Sequence, residues 1–244
     1  MDFKNQPEII EETSAYAVVY KPPKMHCTPG EYGYTLFDWY KANSTSVFDI
    51  MHRLDYETHG LVLFARNETS FKFFKDLQDK GEFVKEYSAV CVQSDLLTPG
   101  FPPAPPPLPP LLTPATLPPS VSARSLIESY FRPFGPGRKL VRPVIDDGKK
   151  HKEIAKDKGN FYKTEIVNIN NNIFTVQLKR GFRHQIRCHL CWIGYPILND
   201  PLYSPGNAET CIQKGELALR SHALFFANPA NGEYKECKID AIVV

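Results

Sequence analysis

Segments rich in β-branched and aromatic residues recur along the chain and predict strands, because such side chains fit a pleated, half-buried surface. The predicted strands are residues 15–20, 61–65, 87–93, 161–169, 173–179, 218–226 and 235–243. Three asparagines at 170–172 separate two of these segments. Because asparagine tolerates positive φ, this stretch predicts a hairpin turn.

Helices are fewer and are predicted where apolar residues recur at a spacing of three and four. The predicted helices are residues 35–42, 70–79 and 183–193. Ser70 is a candidate N-cap of the second helix, and Gly81 is its candidate C-cap. In the third helix, Ile186, Leu190 and Ile193 form one buried face. Long runs of antiparallel strands with helices grouped beside them indicate an α+β fold.

A proline-rich stretch interrupts this alternation, since eleven of the 22 prolines lie between Pro99 and Pro119. Proline lacks a backbone donor and has a fixed φ, so an extended or disordered excursion of polyproline character is expected there. A passive linker is the first interpretation, and a peptide ligand for SH3- or WW-type domains is the alternative. We predict one domain, residues 1–244, with an insertion at about 97–120.

The overall composition excludes several classes of protein. A formal net charge of +2 is too small for bulk coating of duplex nucleic acid, so any RNA contact should be a local patch. Six scattered cysteines do not form a disulfide scaffold in a chain of 244 residues. The sequence has no signal-peptide pattern and no apolar run of about 18 residues. We therefore predict a soluble, cytoplasmic monomer with no membrane partner.

The strongest chemical signal lies in residues 51–65. Arg53 and Asp55 stand two apart, and Thr58 and Gly60 lead into an apolar run that reads as a buried strand. A polar loop at the edge of a core is a common place for chemistry. Taken alone, the same residues also fit an ordinary surface ion pair beside a turn.

Together with His52 and Leu54, this segment resembles the H-R-L-D-x-x-T-S-G-L motif of the RluA-like pseudouridine synthases. Four further pieces occur in the order of that family: Lys21-Pro22, Lys85-Glu86-Tyr87, residues 184–189 (H-Q-I-R-C-H) and residues 194–203 (G-Y-P-I-L-N-D-P-L-Y). The resemblance covers the chain from about residue 9 to 227, apart from the proline-rich stretch. It implies the pseudouridine synthase fold, a mixed, mainly antiparallel sheet with flanking helices and a central RNA-binding cleft.

The resemblance also implies a reaction, the isomerisation of specific uridines to pseudouridine in structured RNA, either rRNA or tRNA, without a cofactor. The indispensable aspartate of the family corresponds to Asp55. Arg187 corresponds to the arginine that keeps this carboxylate ionised, and Tyr87 to the tyrosine placed against the target base. A phosphate contact or surface pair for Arg187, and core packing for Tyr87, are the alternatives.

Further residues are predicted to bind RNA. Arg53 corresponds to the arginine that can fill the position left by an extruded uracil, with a structural salt bridge as the alternative. Lys21 is expected either to face RNA or to support the Asp55 loop. The basic segment 179–187 contains no acid and predicts phosphate contacts rather than a merely solvated helix face. Its candidates are Arg180, Arg183 and His184.

Three departures from the family pattern bear on the substrate more than on the reaction class. His59 replaces the usual serine, Asn199 replaces the usual glycine, and residues 181–183 (G-F-R) replace G-R-T. No metal site is predicted, because no second C-x-x-C or H-x-x-x-H pair accompanies the histidines and cysteines of residues 184–191.

The alternative function is that of a catalytically silent RNA-binding protein with the same fold. The retention of Asp55, Tyr87 and Arg187 speaks against it, because a protein that only binds RNA does not need all three. An N-terminal S4-like module is not expected, since the Lys21-Pro22 motif begins almost at once.

Overall fold

The structure is a computed structural model that describes residues 5–30, 33–95, 98–103, 125–146, 148, 150–151, 161–203 and 215–242. These residues form eleven strands: β1 (Glu8–Glu12), β2 (Tyr16–Lys21), β3 (Asp49–Ile50), β4 (His59–Ala65), β5 (Val84–Val90), β6 (Ser125–Phe134), β7 (Leu140–Val144), β8 (Tyr162–Asn170), β9 (Ile173–Leu178), β10 (Leu219–Ala227) and β11 (Tyr234–Lys238). The α-helices of the same residues are α1 (Leu36–Asn43), α2 (Glu68–Lys80) and α3 (Gln185–Trp192). None of the described helices is long and apolar enough to cross a membrane.

Each predicted strand and helix corresponds to one of these elements, with shifted ends. Strands β1, β3, β6 and β7 were not predicted. The predicted hairpin turn is confirmed, because Asn171 adopts φ 53° between the antiparallel strands β8 and β9. The C-cap Gly81 is also confirmed, with φ 71°.

The predicted N-cap of α2 is wrong. Asn67 caps this helix, and its side-chain oxygen accepts a hydrogen bond from the backbone N–H of Ser70. The Ser70 hydroxyl bonds back to the N-cap, which completes a capping box. Ser70 is therefore the third residue of the first turn, and the helix begins earlier than its apolar periodicity indicates.

The chain divides into two compact units, Met1–Ser88 with Leu219–Val244, and Ala89–Ala218. The single catalytic domain therefore stays a prediction. Most of the predicted proline-rich insertion lies outside the described residues, which include Thr98–Pro103 of that stretch.

The first unit holds strands in the order β1-β2-β4-β10-β5, with β11 beside β10 and β3 beside β4. The pair β4–β10 is parallel, whereas β1–β2, β2–β4, β3–β4 and β10–β11 are antiparallel. All seven residues of β4 are buried. Aromatic and aliphatic side chains, among them Tyr16, Leu63, Phe74 and Phe226, form the core on which α2 packs.

The second unit holds strands in the order β9-β8-β6-β7, paired antiparallel. Helix α3 packs against β7 and β8 and is buried at every position. Its cysteines Cys188 and Cys191 join Phe131, Val141 and Tyr203 in a separate apolar cluster. Because these contacts fix the orientation of α3, they also fix the direction of the Arg187 side chain.

Gly60 permits the close approach of β4 to β10. It adopts φ +118°, and a Cβ at this position would lie 2.1 Å from the carbonyl oxygen of Ser221. We expect Gly60→Ala to destabilise the protein by at least about 3 kcal/mol, because strain and overpacking add together. Gly232→Ala is the matched control, since Gly232 has φ +74° but open space around it, and it should cost only about 1 kcal/mol. Urea unfolding of both variants measures the difference, and equal losses would contradict the steric explanation.

Candidate active site

The Asp55 loop, residues 51–58, connects β3 to β4 and is held by the backbone at both ends. Met51 N–H donates to the Leu63 carbonyl at 2.9 Å, and Thr58 N–H donates to the Asp55 carbonyl at 3.1 Å. In the middle of the loop, the Cys27 thiol donates to the Leu54 carbonyl, while Leu54 N–H donates to Cys27 Sγ at 3.2 Å. The half-buried Asp55 side chain therefore stands on a loop of defined shape.

Lys21 supports this loop from inside the protein. Its side chain is fully buried, and Nζ donates to the carbonyl oxygens of Pro22, Met25 and Tyr56 at 2.9, 2.7 and 3.2 Å. Burial lowers the pKa of Lys21 to about 8, although the negative charges of the Asp55 and Glu57 carboxylates oppose that shift. The expectation that Lys21 faces RNA is corrected, because an ammonium with three internal acceptors and no exposure does not reach a ligand.

Tyr87 on β5 lies in the electrostatic field of Asp55. Burial raises the pKa of Tyr87, and the Asp55 carboxylate raises it further, so the phenol stays protonated and can donate a hydrogen bond. Two residues earlier, the Lys85 ammonium lies 4.7 Å from the centre of the Phe83 ring. Burial lowers the pKa of Lys85 to about 8. The first unit thus brings together Asp55 and Tyr87, two of the three residues predicted to act in catalysis.

Arg53 is exposed on the same loop. In the part of the chain that the structure describes, no ion pair involves its guanidinium, so the structural salt bridge is not seen there. An exposed cation beside the candidate carboxylate is available to an anionic ligand.

Helix α3 is anchored by the polar side chains that precede and follow Arg187. Gln185 Nε2 donates to the Lys163 carbonyl at 2.9 Å, and its Oε1 accepts from Phe182 N–H at 2.9 Å. His189 bonds with both ring nitrogens, Nδ1 to the Thr164 hydroxyl at 2.7 Å and Nε2 to the Ser129 hydroxyl at 2.9 Å. The glutamine and second histidine of the H-Q-I-R-C-H motif thus hold the helix in place.

Arg187 forms a buried, bidentate ion pair with Asp200. Its Nε lies 2.8 Å from Oδ2 and its Nη2 lies 2.7 Å from Oδ1, and the two residues are 1% and 0% exposed. Asp200 Oδ1 also accepts the backbone N–H groups of Leu202 and Tyr203. The guanidinium lies 5.5 Å from the centre of the Tyr203 ring. Arg187 is therefore neither a surface pair nor an exposed phosphate contact, and its role toward Asp55 stays a prediction.

The other predicted RNA contacts differ in exposure. Arg180 and Arg183 are exposed, and Arg183 Nη2 donates to the carbonyl oxygens of Arg138 and Leu140. His184 is half-buried in the left-handed conformation, and its Nδ1 lies 3.2 Å from the Tyr203 hydroxyl. The two arginines are exposed enough to contact a phosphate, whereas the His184 ring is directed toward the Tyr203 hydroxyl.

Two of the departures from the family pattern have local explanations. His59 is fully buried, and its Nε2 accepts a hydrogen bond of 2.9 Å from Arg220 Nε. Burial, the Arg220 charge and the Lys21 charge lower the pKa of His59 to about 3. Asn199 adopts φ 63°, a left-handed conformation that asparagine tolerates best after glycine.

Three residues of these networks were missed by the sequence reasoning, namely Cys27, Asp200 and Arg220. Asp200 lies in the motif of residues 194–203, so its place in that motif could have indicated that it is important. Cys27 and Arg220 carry no pattern of their own. The described residues contain no group of three or more metal-ligating side chains.

The neutral state of His189 predicts a pH dependence of stability. Burial lowers its pKa from 6.5 to about 3, so the unfolded chain takes up the proton first as pH falls. The contribution of neutral His189 to the free energy of unfolding is complete above about pH 6.5 and decreases as the pH falls toward 3. By pH 5 the free energy of unfolding is lower by about 2 kcal/mol. Urea unfolding at pH 7.5 and 5.0 measures it, and His189→Gln should show a smaller loss between the two pH values. An equal loss in the variant would assign the dependence to other groups, such as the buried His52 and His59.

Comparisons with known proteins agree with these features. The family model described as RNA pseudouridylate synthase matches residues 15–192. An uncharacterized RNA pseudouridine synthase of Chloroflexus aurantiacus is 27% identical over 192 residues, which are 77% of this chain and 48% of that protein. The ribosomal large subunit pseudouridine synthase D of Buchnera aphidicola is 23% identical over 201 residues, 80% of this chain and 53% of that protein. The chain spans about half the length of these relatives.

Solved structures show the same fold. Human RNA pseudouridylate synthase domain containing 1 superposes with a TM-score of 0.65 at 16% identity, over 96% of this chain and 83% of that chain. Human RNA pseudouridylate synthase domain containing 4 superposes with a TM-score of 0.61 at 17% identity, over 96% of this chain and 88% of that chain. The predicted α+β fold with a mixed, mainly antiparallel sheet is confirmed. The family match over most of the chain leads to one conclusion: this chain belongs to the RluA-like family of RNA pseudouridylate synthases.

Proposed function

We propose that this chain converts specific uridines in structured RNA to pseudouridine, with Asp55 as the catalytic carboxylate and without a cofactor. In this reaction the bond from uracil N1 to the sugar C1′ breaks, the base rotates, and C5 joins C1′. A proton leaves C5 and another is gained at N1, so no atom is lost and no oxidant is needed.

The observation that carries the proposal is the support given to the Asp55 loop. Backbone hydrogen bonds, the Cys27 thiol and the Lys21 ammonium hold the loop from within, while the Asp55 side chain keeps partial access to solvent. A carboxylate that attacks a base or a sugar, or removes a proton, needs such a fixed position and partial desolvation. A surface ion pair would need none of this support.

Tyr87 has the protonation state that a base-contacting residue requires. Its ring is nearly buried and its phenol is kept protonated by burial and by Asp55. We propose that the ring packs against the uracil while the hydroxyl donates to it. Following the family resemblance, Arg187 is proposed to favour the ionised form of Asp55, because a guanidinium is always charged.

The proposed partner is rRNA or tRNA. A relative named for the ribosomal large subunit supports rRNA. The exposed Arg53, Arg180 and Arg183 are proposed to bind phosphates, and extrusion of the uridine costs roughly a few kcal/mol that such contacts offset.

The test compares RNA from cells with and without this gene, mapping pseudouridines at single-nucleotide resolution. Loss of defined sites in rRNA or tRNA is expected, and the purified chain should restore them in a transcript of the same sequence. RNA binding without any lost site and without conversion in vitro would favour the catalytically silent alternative.

A further inference from the structure

Two aromatic rings lie against each other at a tilted angle, and one of them belongs to the residue that follows the candidate carboxylate in the chain. The rings of His26 and Tyr56 lie 4.7 Å apart, centre to centre, with an angle of 37° between their planes. Tyr56 follows Asp55 in the chain and is 43% exposed. Neither ring has a part in the chemistry proposed above.

The backbone holds both rings in place. The Tyr56 carbonyl accepts hydrogen bonds from Lys21 Nζ at 3.2 Å and from Met25 N–H at 3.3 Å. The His26 carbonyl accepts the N–H of Leu36, the first residue of α1, at 2.9 Å. Because these segments are already ordered, a ligand that stacks on the pair has less conformational entropy to remove.

Exposed cations stand next to each ring in the chain. Arg53 lies three residues before Tyr56, and Lys24 lies two residues before His26, and both side chains are exposed. An aromatic surface flanked by positive charge suits a segment of single-stranded nucleic acid, because the rings stack on bases while the cations meet phosphates.

We propose that the His26–Tyr56 pair is a stacking platform for an unpaired base next to the target uridine. This inference rests on the proposed function and specifies its substrate: the uridine lies in a loop or opened segment whose neighbouring base can leave its own stack. A base beside an extruded nucleotide has lost a stacking partner, and an aromatic ring adjacent to the catalytic carboxylate replaces that partner. Stacking tolerates any base, so the platform selects RNA shape rather than sequence.

The experiment measures RNA affinity, which does not depend on turnover. The probes are rRNA fragments and tRNAs transcribed from the source organism, shortened to the smallest piece that the wild-type chain binds. We expect Tyr56→Ala to weaken binding about tenfold and Tyr56→Phe to stay within twofold of the wild type, because the ring and not the hydroxyl makes the contact. Tyr234→Ala is the matched control, since Tyr234 is 75% exposed and stacks on Phe225 in the same unit, and it should leave the affinity unchanged.

A second measurement identifies the base. An abasic nucleotide is placed in turn at each position of the probe. One position should weaken wild-type binding about tenfold and leave the Tyr56→Ala affinity unchanged, which is the signature of two groups that contact each other. A Tyr56→Ala affinity within twofold of the wild type, or equal sensitivity of both proteins at every abasic position, would overturn the platform.

The outcomes separate this inference from the proposed function. If the variants and the abasic scan behave as expected but the wild type forms no pseudouridine, the platform is retained and the isomerisation is overturned. If the wild type forms pseudouridine and Tyr56→Ala binds normally, the platform alone is overturned. Absence of binding to any rRNA or tRNA probe would overturn both.

Discussion

Replacing Asp55 by asparagine is expected to lower the single-turnover rate of pseudouridine formation by at least about 10³-fold while the protein stays folded. Asparagine keeps the size of the side chain but removes the charge and the lone-pair basicity on which attack or proton removal depends. The loop itself is held by backbone groups, by Cys27 and by Lys21, none of which needs the carboxylate.

Glu57→Gln provides the matched control for Asp55→Asn. Glu57 lies on the same loop, two residues on, and like Asp55 it contributes negative charge near Lys21. Its neutralisation should change the rate by no more than a few-fold. Both rates are measured at saturating RNA with melting curves alongside, and an Asp55→Asn protein that reacts at nearly the wild-type rate would remove Asp55 from the catalytic role.

The largest loss of stability is expected from Arg187→Ala. It would remove the guanidinium that makes both hydrogen bonds of the bidentate pair with the fully buried Asp200 carboxylate. Removing one partner of a buried pair costs about 3–5 kcal/mol, because the remaining charge keeps its desolvation penalty. Urea unfolding monitored by tryptophan fluorescence measures the loss, since Trp192 lies at the end of the same helix.

Arg183→Ala is the control on the neighbouring turn. Its guanidinium is exposed and donates to two backbone carbonyls, so its removal should cost no more than about 1 kcal/mol. The double variant Arg187→Met with Asp200→Leu removes both charges and should regain part of the stability. A loss below about 1 kcal/mol in Arg187→Ala would contradict the buried ion pair.

Arg187→Lys separates the structural from the proposed catalytic role. Lysine retains the charge beside Asp200 but not the bidentate geometry, so more protein should remain folded than with alanine. If this variant, measured where it is folded, binds RNA normally and turns over at the wild-type rate, Arg187 acts through the fold and its proposed support of Asp55 is wrong.

The sequence by itself determined seven of the eleven described strands, the three described α-helices, the family and the candidate carboxylate. The strand and helix patterns depend on neighbouring residues, which is why β4, α2 and α3 were found and only their ends moved. Short strands and strands without a marked composition, such as β3 and β7, carry too few residues for a pattern. The N-cap of α2 was misplaced because Asn67 and Ser70 both fit that position, and only the hydrogen bonds distinguish them.

Only the tertiary structure decided which groups are partners. Lys21 serves the Tyr56 carbonyl 35 residues away, Arg187 pairs with Asp200 across 13 residues, and Arg220 donates to His59 across 161. A hydrogen bond between residues so far apart in the sequence forms only when the fold brings the donor and the acceptor together. It produces no repeating pattern in the sequence from which the partners could be predicted. For the same reason the sequence could indicate that Lys21 and Arg187 matter, while burial and geometry determined that one holds a loop and the other neutralises a buried carboxylate.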